Sequence, residues 1–142
     1  MIIRLQTEDF DPEREAQMLD VKGAGARVSF VGTVRDSARD RAITALEIEH
    51  YPQMTHAELA RIGAAAQSRH NLQEVLIIHR HGRLACHERI VLVTVWSAHR
   101  AEAFAGCQAI VDALKTRAPF WKKEISPEGA LWVPGQTPQD LG

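Results

Sequence analysis

The sequence predicts an α+β fold, a mostly antiparallel sheet with three helices on one side and an extra hairpin near the C-terminus. Three observations predict it. Period-two alternation marks strands at Ala26–Arg35 and Ile43–Tyr51, and the short polar loop Asp36–Arg41 between them makes an antiparallel pair the default. Arg89–Trp96 carries apolar residues on both faces, as a central strand does. Phe104, Cys107, Val111 and Leu114, spaced three, four and three apart, give one apolar face to a helix over Arg100–Arg117. The full order reads β-α-β-β-α-β-β-α-β-β.

Each element has a local reason. Ile2–Leu5 is a short apolar strand. Asp11 is an N-cap with Pro12 at the first helical position, and Met18, Leu19 and Val21 give that helix a thin apolar face up to Gly23 and Gly25. In Ile43–Tyr51, Leu46, Ile48 and His50 share one face. Pro52 stops this strand, and Thr55 caps a second helix to about Arg69. Glu74–Arg80 is β-branched and reads as a strand, and Gly82–Glu88 reads as a turn region. Pro119 ends the third helix; Phe120–Ile125 and Ala130–Val133 then form a hairpin around Pro127-Glu128-Gly129. Residues 1–133 read as a single domain, and the polar segment from Pro134 to Gly142 as a flexible tail.

Composition narrows the function classes. The 142 residues carry 17 basic and 18 acidic side chains, a formal charge of −1, which argues against a nucleic-acid coat. No apolar run approaches the ~18 residues of a membrane span, and the N-terminus lacks the pattern of a secretory signal. Cys86 and Cys107 form no C-x-x-C and are read as reduced thiols of a cytoplasmic protein. There are thirteen arginines but four lysines, and Lys115, Lys122 and Lys123 fall within nine residues.

Three constellations carry possible chemistry. Ser97-Ala98-His99-Arg100 lies where a strand meets a helix N-terminus, and free backbone N–H groups there suit a phosphate. The plain alternative has His99 capping the helix and Arg100 in solvent. Lys115 sits beside the apolar stripe at the end of the third helix, followed by Pro119-Phe120-Trp121-Lys122-Lys123-Glu124. On a strand Lys122 and Lys123 face opposite ways, and Lys122 is the inward one if Trp121 and Lys123 cover another surface. A lysine beside other cations in a partly dry site yields its proton readily. The alternative is a helix-end lysine followed by a solvated strand. Arg35, at a strand end, offers a forked guanidinium to an anion, or simply pairs with Asp36. His79-x-His81 with Cys86-His87 suggests zinc ligands, but there is no second well-spaced pair and Arg80, Arg83 and Arg89 crowd the region, so no metal is expected. Cys107, on the apolar stripe, is expected to be an inert buried thiol.

Five segments in order give these residues a common meaning: Phe30-Val31-Gly32-Thr33-Val34-Arg35, Glu49-His50-Tyr51-Pro52-x-Met54, His79-Arg80-x-Gly82-x-Leu84, Ser97-x-His99-Arg100-x-x-Ala103-Phe104, and Leu114-Lys115-x-x-x-Pro119-x-Trp121-Lys122-Lys123-Glu124. Together they resemble the large, catalytic subunits of molybdopterin synthase. Two departures affect turns: His87-Glu88 stands where the family commonly has Gly-Glu or Gly-Asp, and the loop after Arg35 lacks a glycine that many relatives carry.

The resemblance implies an α/β hammerhead fold with extra antiparallel sheet. It implies conversion of cyclic pyranopterin monophosphate to molybdopterin, with no cofactor, using sulfur from the C-terminal Gly-Gly thiocarboxylate of a small ubiquitin-like subunit. By motif, Arg35, His99 and Arg100 bind phosphate and pterin, Lys115 and Lys122 bind substrate and are catalytic, and Lys123 and Glu124 support the site. The implied assembly is a homodimer of large subunits at the core of a heterotetramer. The rival readings are a non-catalytic dimeric scaffold or regulatory subunit that docks an acidic protein tail, and a nucleic-acid-binding module. The second lacks both net positive charge and an aromatic stacking platform.

Overall fold

The computed structural model describes residues 1–133; the tail expected from Pro134 lies outside the described residues. The elements run β1 (Ile2–Gln6), α1 (Pro12–Gln17), β2 (Ala26–Thr33), β3 (Ser37–Ala38), β4 (Arg41–Ala42), β5 (Ala45–His50), α2 (Pro52–Arg69), β6 (Leu72–Arg80), β7 (Gly82–Ala85), β8 (Arg89–Ser97), α3 (Arg100–Arg117), β9 (Phe120–Ser126) and β10 (Gly129–Trp132). The class is α+β, as expected. Two four-stranded sheets have the orders β1-β6-β8-β2 and β10-β9-β5-β7, and β3 pairs with β4 alone. Among the described residues only the β1–β6 pair is parallel, with Ile2 opposite Leu76 and Gln6 opposite Arg80.

The central place expected for Arg89–Trp96 is observed. On β6 and β8, Val75, Ile77, Val93 and Val95 are fully buried in a core shared with Leu59 and Ile62 of α2 and Ile110 of α3. The same core takes in Leu46, Ile48, Leu84 and Phe120 of the second sheet. Each such aliphatic side chain stabilises the fold by about 1.5–3 kcal/mol when fully buried. The opposite face, with Leu76, Ile78, Leu92 and Trp96, is covered by Phe10 and Ala16. The helices are therefore not all on one side: α2 and α3 cover one face, while α1 covers the other.

Other expectations are corrected. Ala26–Arg35 and Ile43–Tyr51 do not pair; β2 pairs with β8, and β5 lies between β7 and β9. The loop between them folds on itself as β3 and β4, with Arg39 (φ 50°) and Asp40 (φ 60°) in the left-handed conformation of a tight hairpin turn. That reversal sends β5 into another sheet. Gly82–Glu88 is not all turn, since Gly82–Ala85 forms an edge strand on β5 with Leu84 buried. His87 takes the turn at φ 70°. Both family departures thus fall on stretches with left-handed backbone, where glycine is the undemanding residue.

The first helix ends at Gln17, well short of Gly23, although Asp11 caps it as expected, its carboxylate accepting from the amides of Glu13 and Arg14. Thr55 is not a cap: α2 starts at Pro52 behind Tyr51, and the buried Thr55 hydroxyl donates to the Pro119 carbonyl at 3.5 Å. α3 has the expected limits but a different inner face. Ala103, Gly106, Cys107 and Ile110 are buried, whereas Phe104 is 64% exposed. Close approach selects small residues here, because a Cβ at Gly106 would lie 2.8 Å from the Leu72 side chain.

Candidate active site

A cavity of about 520 Å³ opens where the end of β2, the last turn of α3 and the inner face of β9 meet. That volume suits a small organic ligand. α3 brings Leu114 and Lys115 to its wall, β2 leads into Arg35, and β9 contributes Lys122 and Glu124.

The pleat of β9 decides which lysine enters. Phe120, Lys122 and Glu124 point inward; Trp121 and Lys123 point outward. Trp121 Nε1 donates to the Glu49 carboxylate at 2.8 Å. Lys123 Nζ is 3.5 Å from the Glu47 carboxylate and 5.1 Å from the Trp132 ring centroid. Trp121 and Lys123 thus cover the other surface, the condition under which the alternation makes Lys122 the inward lysine, and Lys123 lies behind the strand.

Burial, and then the positive charge of Lys115, push the Lys122 pKa down. Glu124 is buried and pairs with Arg39 at the tip of the β3–β4 turn. With Glu124 so paired, Arg35, Lys115 and Lys122 give the cavity its cationic character.

His99 and Arg100 are not at this cavity. They are exposed at the opposite end of α3, fifteen residues from Lys115, or about 22 Å along a helix. His99 occupies the N-cap position with extended backbone, but its side chain makes no capping hydrogen bond. Within one chain, then, the expected meeting of Arg35 with His99 and Arg100 does not occur.

His79, which the spacing arguments weighed only as a zinc ligand, is a cavity residue. Its ring stacks on Phe120 at 3.8 Å, and Nδ1 lies 2.8 Å from the Arg80 carbonyl. Burial, reinforced by the charge of Lys122, pushes its pKa down to about 3. The available signal was its place after Val75 and Ile77 on the inward face of β6. The zinc-type grouping weighed for His79 and His81 does not form: His81 packs on His50 at 4.5 Å. Among the described residues no three metal-ligating side chains are grouped to hold an ion. Cys107 is buried and its pKa is raised to about 11, as befits an inert thiol.

The family model described as MoaE protein matches residues 5–117, a span that contains Arg35, His99, Arg100 and Lys115. The chain belongs to the MoaE family. A MoaE-family relative from Cereibacter sphaeroides, named molybdopterin synthase catalytic subunit, is 49% identical over 135 residues, covering 94% of this chain and 91% of the relative. The crystal structure of molybdopterin synthase from Staphylococcus aureus matches with a TM-score of 0.85 and 30% identity, covering 92% of this chain and 95% of that one. A Helicobacter pylori structure, described as a complex of subunits 1 and 2 of molybdopterin-converting factor, shares the fold at a TM-score of 0.78 and 17% identity, covering 96% of this chain and 93% of that one.

Proposed function

We propose that the cavity is the sulfur-transfer site of a molybdopterin synthase catalytic subunit. Membership in the MoaE family makes the chain a sulfurtransferase of molybdenum cofactor biosynthesis, converting cyclic pyranopterin monophosphate to molybdopterin. The observation that carries the site assignment is the convergence of Arg35, Lys115 and Lys122 on one cavity. Both reactants are anions, a cyclic phosphate and a thiocarboxylate, and three cations in a partly desolvated site attract and hold them.

Arg35 binds the phosphate. Lys115 and Lys122 face the carbon that receives sulfur. Lys122, whose ammonium form is disfavoured, supplies the mobile proton, and Lys115 stabilises oxyanion character. Glu124, tied to Arg39, keeps β9 against the hairpin, and Lys123 braces the strand from behind through Glu47. No cysteine nucleophile is required, because the partner brings the sulfur.

That partner is a small ubiquitin-like subunit whose C-terminal Gly-Gly thiocarboxylate enters the cavity; glycine lets its backbone pass close to the walls. His99 and Arg100 act on a neighbouring copy. About 22 Å of helix separates them from Lys115, so they reach a phosphate only at the cavity of a second subunit. This reading places a homodimer at the core of a heterotetramer in the cytoplasm, and no helix of the described residues is long and apolar enough to cross a membrane.

Two experiments test it. Incubation with the cyclic substrate and thiocarboxylated carrier should yield the dithiolene product by mass spectrometry; no product would overturn the activity. Lys115→Ala and Arg100→Ala chains, each inactive alone, should regain activity when mixed and re-associated. Failure of mixing to restore any turnover would refute the two-copy site.

A further inference from the structure

His79 stands where the alternation of β6 calls for an apolar side chain, after the fully buried Val75 and Ile77. An imidazole there is costly unless both its nitrogens have work. Nδ1 is 2.8 Å from the Arg80 carbonyl, which can only accept, so Nδ1 carries the hydrogen and Nε2 keeps a lone pair. The strand holding that carbonyl is firmly placed: the Arg80 guanidinium donates to the carbonyls of Thr7 and Arg89 at 2.9 Å.

The ring lies nearly flat on Phe120, with 17° between planes. Phe120 and Lys122 are alternate residues of β9 on one face, about 7 Å apart. The imidazole and the Lys122 side chain therefore approach from the two sheets, and both line one cavity.

We propose that His79 is a positioning residue for Lys122, its Nε2 lone pair accepting a hydrogen bond from the Lys122 ammonium. The bond aims the amine and favours its charged form. Burial and Lys115 act the other way, and Arg35 adds a third cation to the same cavity. Glu124 is taken up by Arg39, while His50 and His81 lie beyond Phe120. His79 is suited to this task because it stays neutral: its pKa of about 3 keeps a fourth positive charge out of the cavity. The assignment rests on the reading of Lys122 as the proton-carrying lysine, but its test does not.

The test is direct titration of Lys122 by NMR in the full chain labelled at the lysine Cε, where four lysines are resolved by single Lys→Arg variants. His79→Asn keeps a donor to the Arg80 carbonyl and loses the outer acceptor; His79→Gln keeps an acceptor near the Nε2 position. We expect the Lys122 midpoint to fall by about one pH unit in His79→Asn, the scale of one hydrogen bond to a charged group, and to stay near wild type in His79→Gln. Equal midpoints in both variants and wild type would overturn the proposal. If His79→Asn does not fold, the wild-type chain decides: the Nε2 ¹⁵N shift should move with the Lys122 titration, and an unmoved shift rejects the contact. A chain that makes no molybdopterin but shows the midpoint shift would refute the proposed reaction and leave this contact standing.

Discussion

Arg39 and Glu124, 85 residues apart in sequence, form an ion pair that pins the tip of the β3–β4 hairpin to the inner face of β9. Arg41, two residues on, hydrogen-bonds to the Ser126 hydroxyl, so the hairpin is held to β9 at two points. Ala38, beside its turn, and Ile43, just after β4, line the cavity. Arg39→Ala removes the partner of a buried carboxylate and should lower stability by roughly 1–3 kcal/mol. Arg39→Lys should recover part of the loss. Chemical denaturation of the three proteins checks this, and unchanged stability in the alanine variant would show the pair to be incidental.

Lys115→Ala should leave the fold intact and nearly abolish sulfur transfer. Lys115 is exposed on the last turn of α3, where a substitution shifts stability by about 0.5 kcal/mol or less. Loss of a group acting in the transition state costs roughly 10²–10⁴-fold in rate. Single-turnover assays with the carrier measure it; near-normal turnover would remove Lys115 from the catalytic set.

Acid should weaken the fold through His79. In the unfolded chain this residue titrates near 6.5, and in the fold near 3. Between those values the unfolded state binds one proton more, so stability rises with pH and is lost as pH falls below 6.5. The slope from this group is about 1.4 kcal/mol per pH unit, levelling off below the folded value. Urea unfolding at a series of pH values, for wild type and His79→Gln, should show a shallower acid slope in the variant.

His87→Gly should stabilise the protein. His87 sits at φ 70°, which costs a residue with a Cβ about 1–2 kcal/mol, and glycine returns part of that gain as backbone entropy. Its exposed contact with Asp36, at 3.8 Å, is a small loss. A net gain near ~0.5–1 kcal/mol is expected from thermal unfolding. A fall in melting temperature would mean that the imidazole contributes more than its backbone conformation costs.

The carrier's C-terminal peptide should bind the cavity, and the same peptide shortened by its two glycines should lose most of its affinity. Lys122→Ala and rising salt should each weaken the intact peptide, since cation–anion attraction is screened. Isothermal titration of both peptides tests this, and equal affinities would rule out tail insertion.

The strongest periodic signals survived into the structure. Arg89–Trp96 is a buried central strand because its apolar residues fill both faces, and Arg100–Arg117 is helical to the residue. Alternation put Lys122 and Lys123 on opposite faces, and the pairing of Trp121 and Lys123 with Glu49 and Glu47 leaves Lys122 the inward one. Pairing partners were not legible. Nothing local shows that Asp36–Arg41 closes on itself with Arg39 and Asp40 in left-handed backbone, and that reversal is what parts β2 from β5. The inner face of α3 was misread because Phe104 has the larger apolar area, whereas contact with Leu72 demands the small Gly106. The site was legible in its residue types, which the motifs carried, but not in its geography. The helix expected over Arg100–Arg117 already set His99 and Arg100 a helix-length from Lys115; what was not legible is that β2 delivers Arg35 to the Lys115 end.

The wall of the cavity draws on β2, β6, β8, the end of α3 and β9, and these are made in that order along the chain. Arg35 emerges early, and Lys122 joins it only after α3 has packed and β9 has found β5. A half-finished or locally melted chain therefore presents isolated cations but no paired lysines around a dry space. An activated sulfur is prone to hydrolysis, and a centre of this kind withholds reaction until every layer is docked. Catalytic competence in this protein is in effect a checkpoint on the completeness of its own folding.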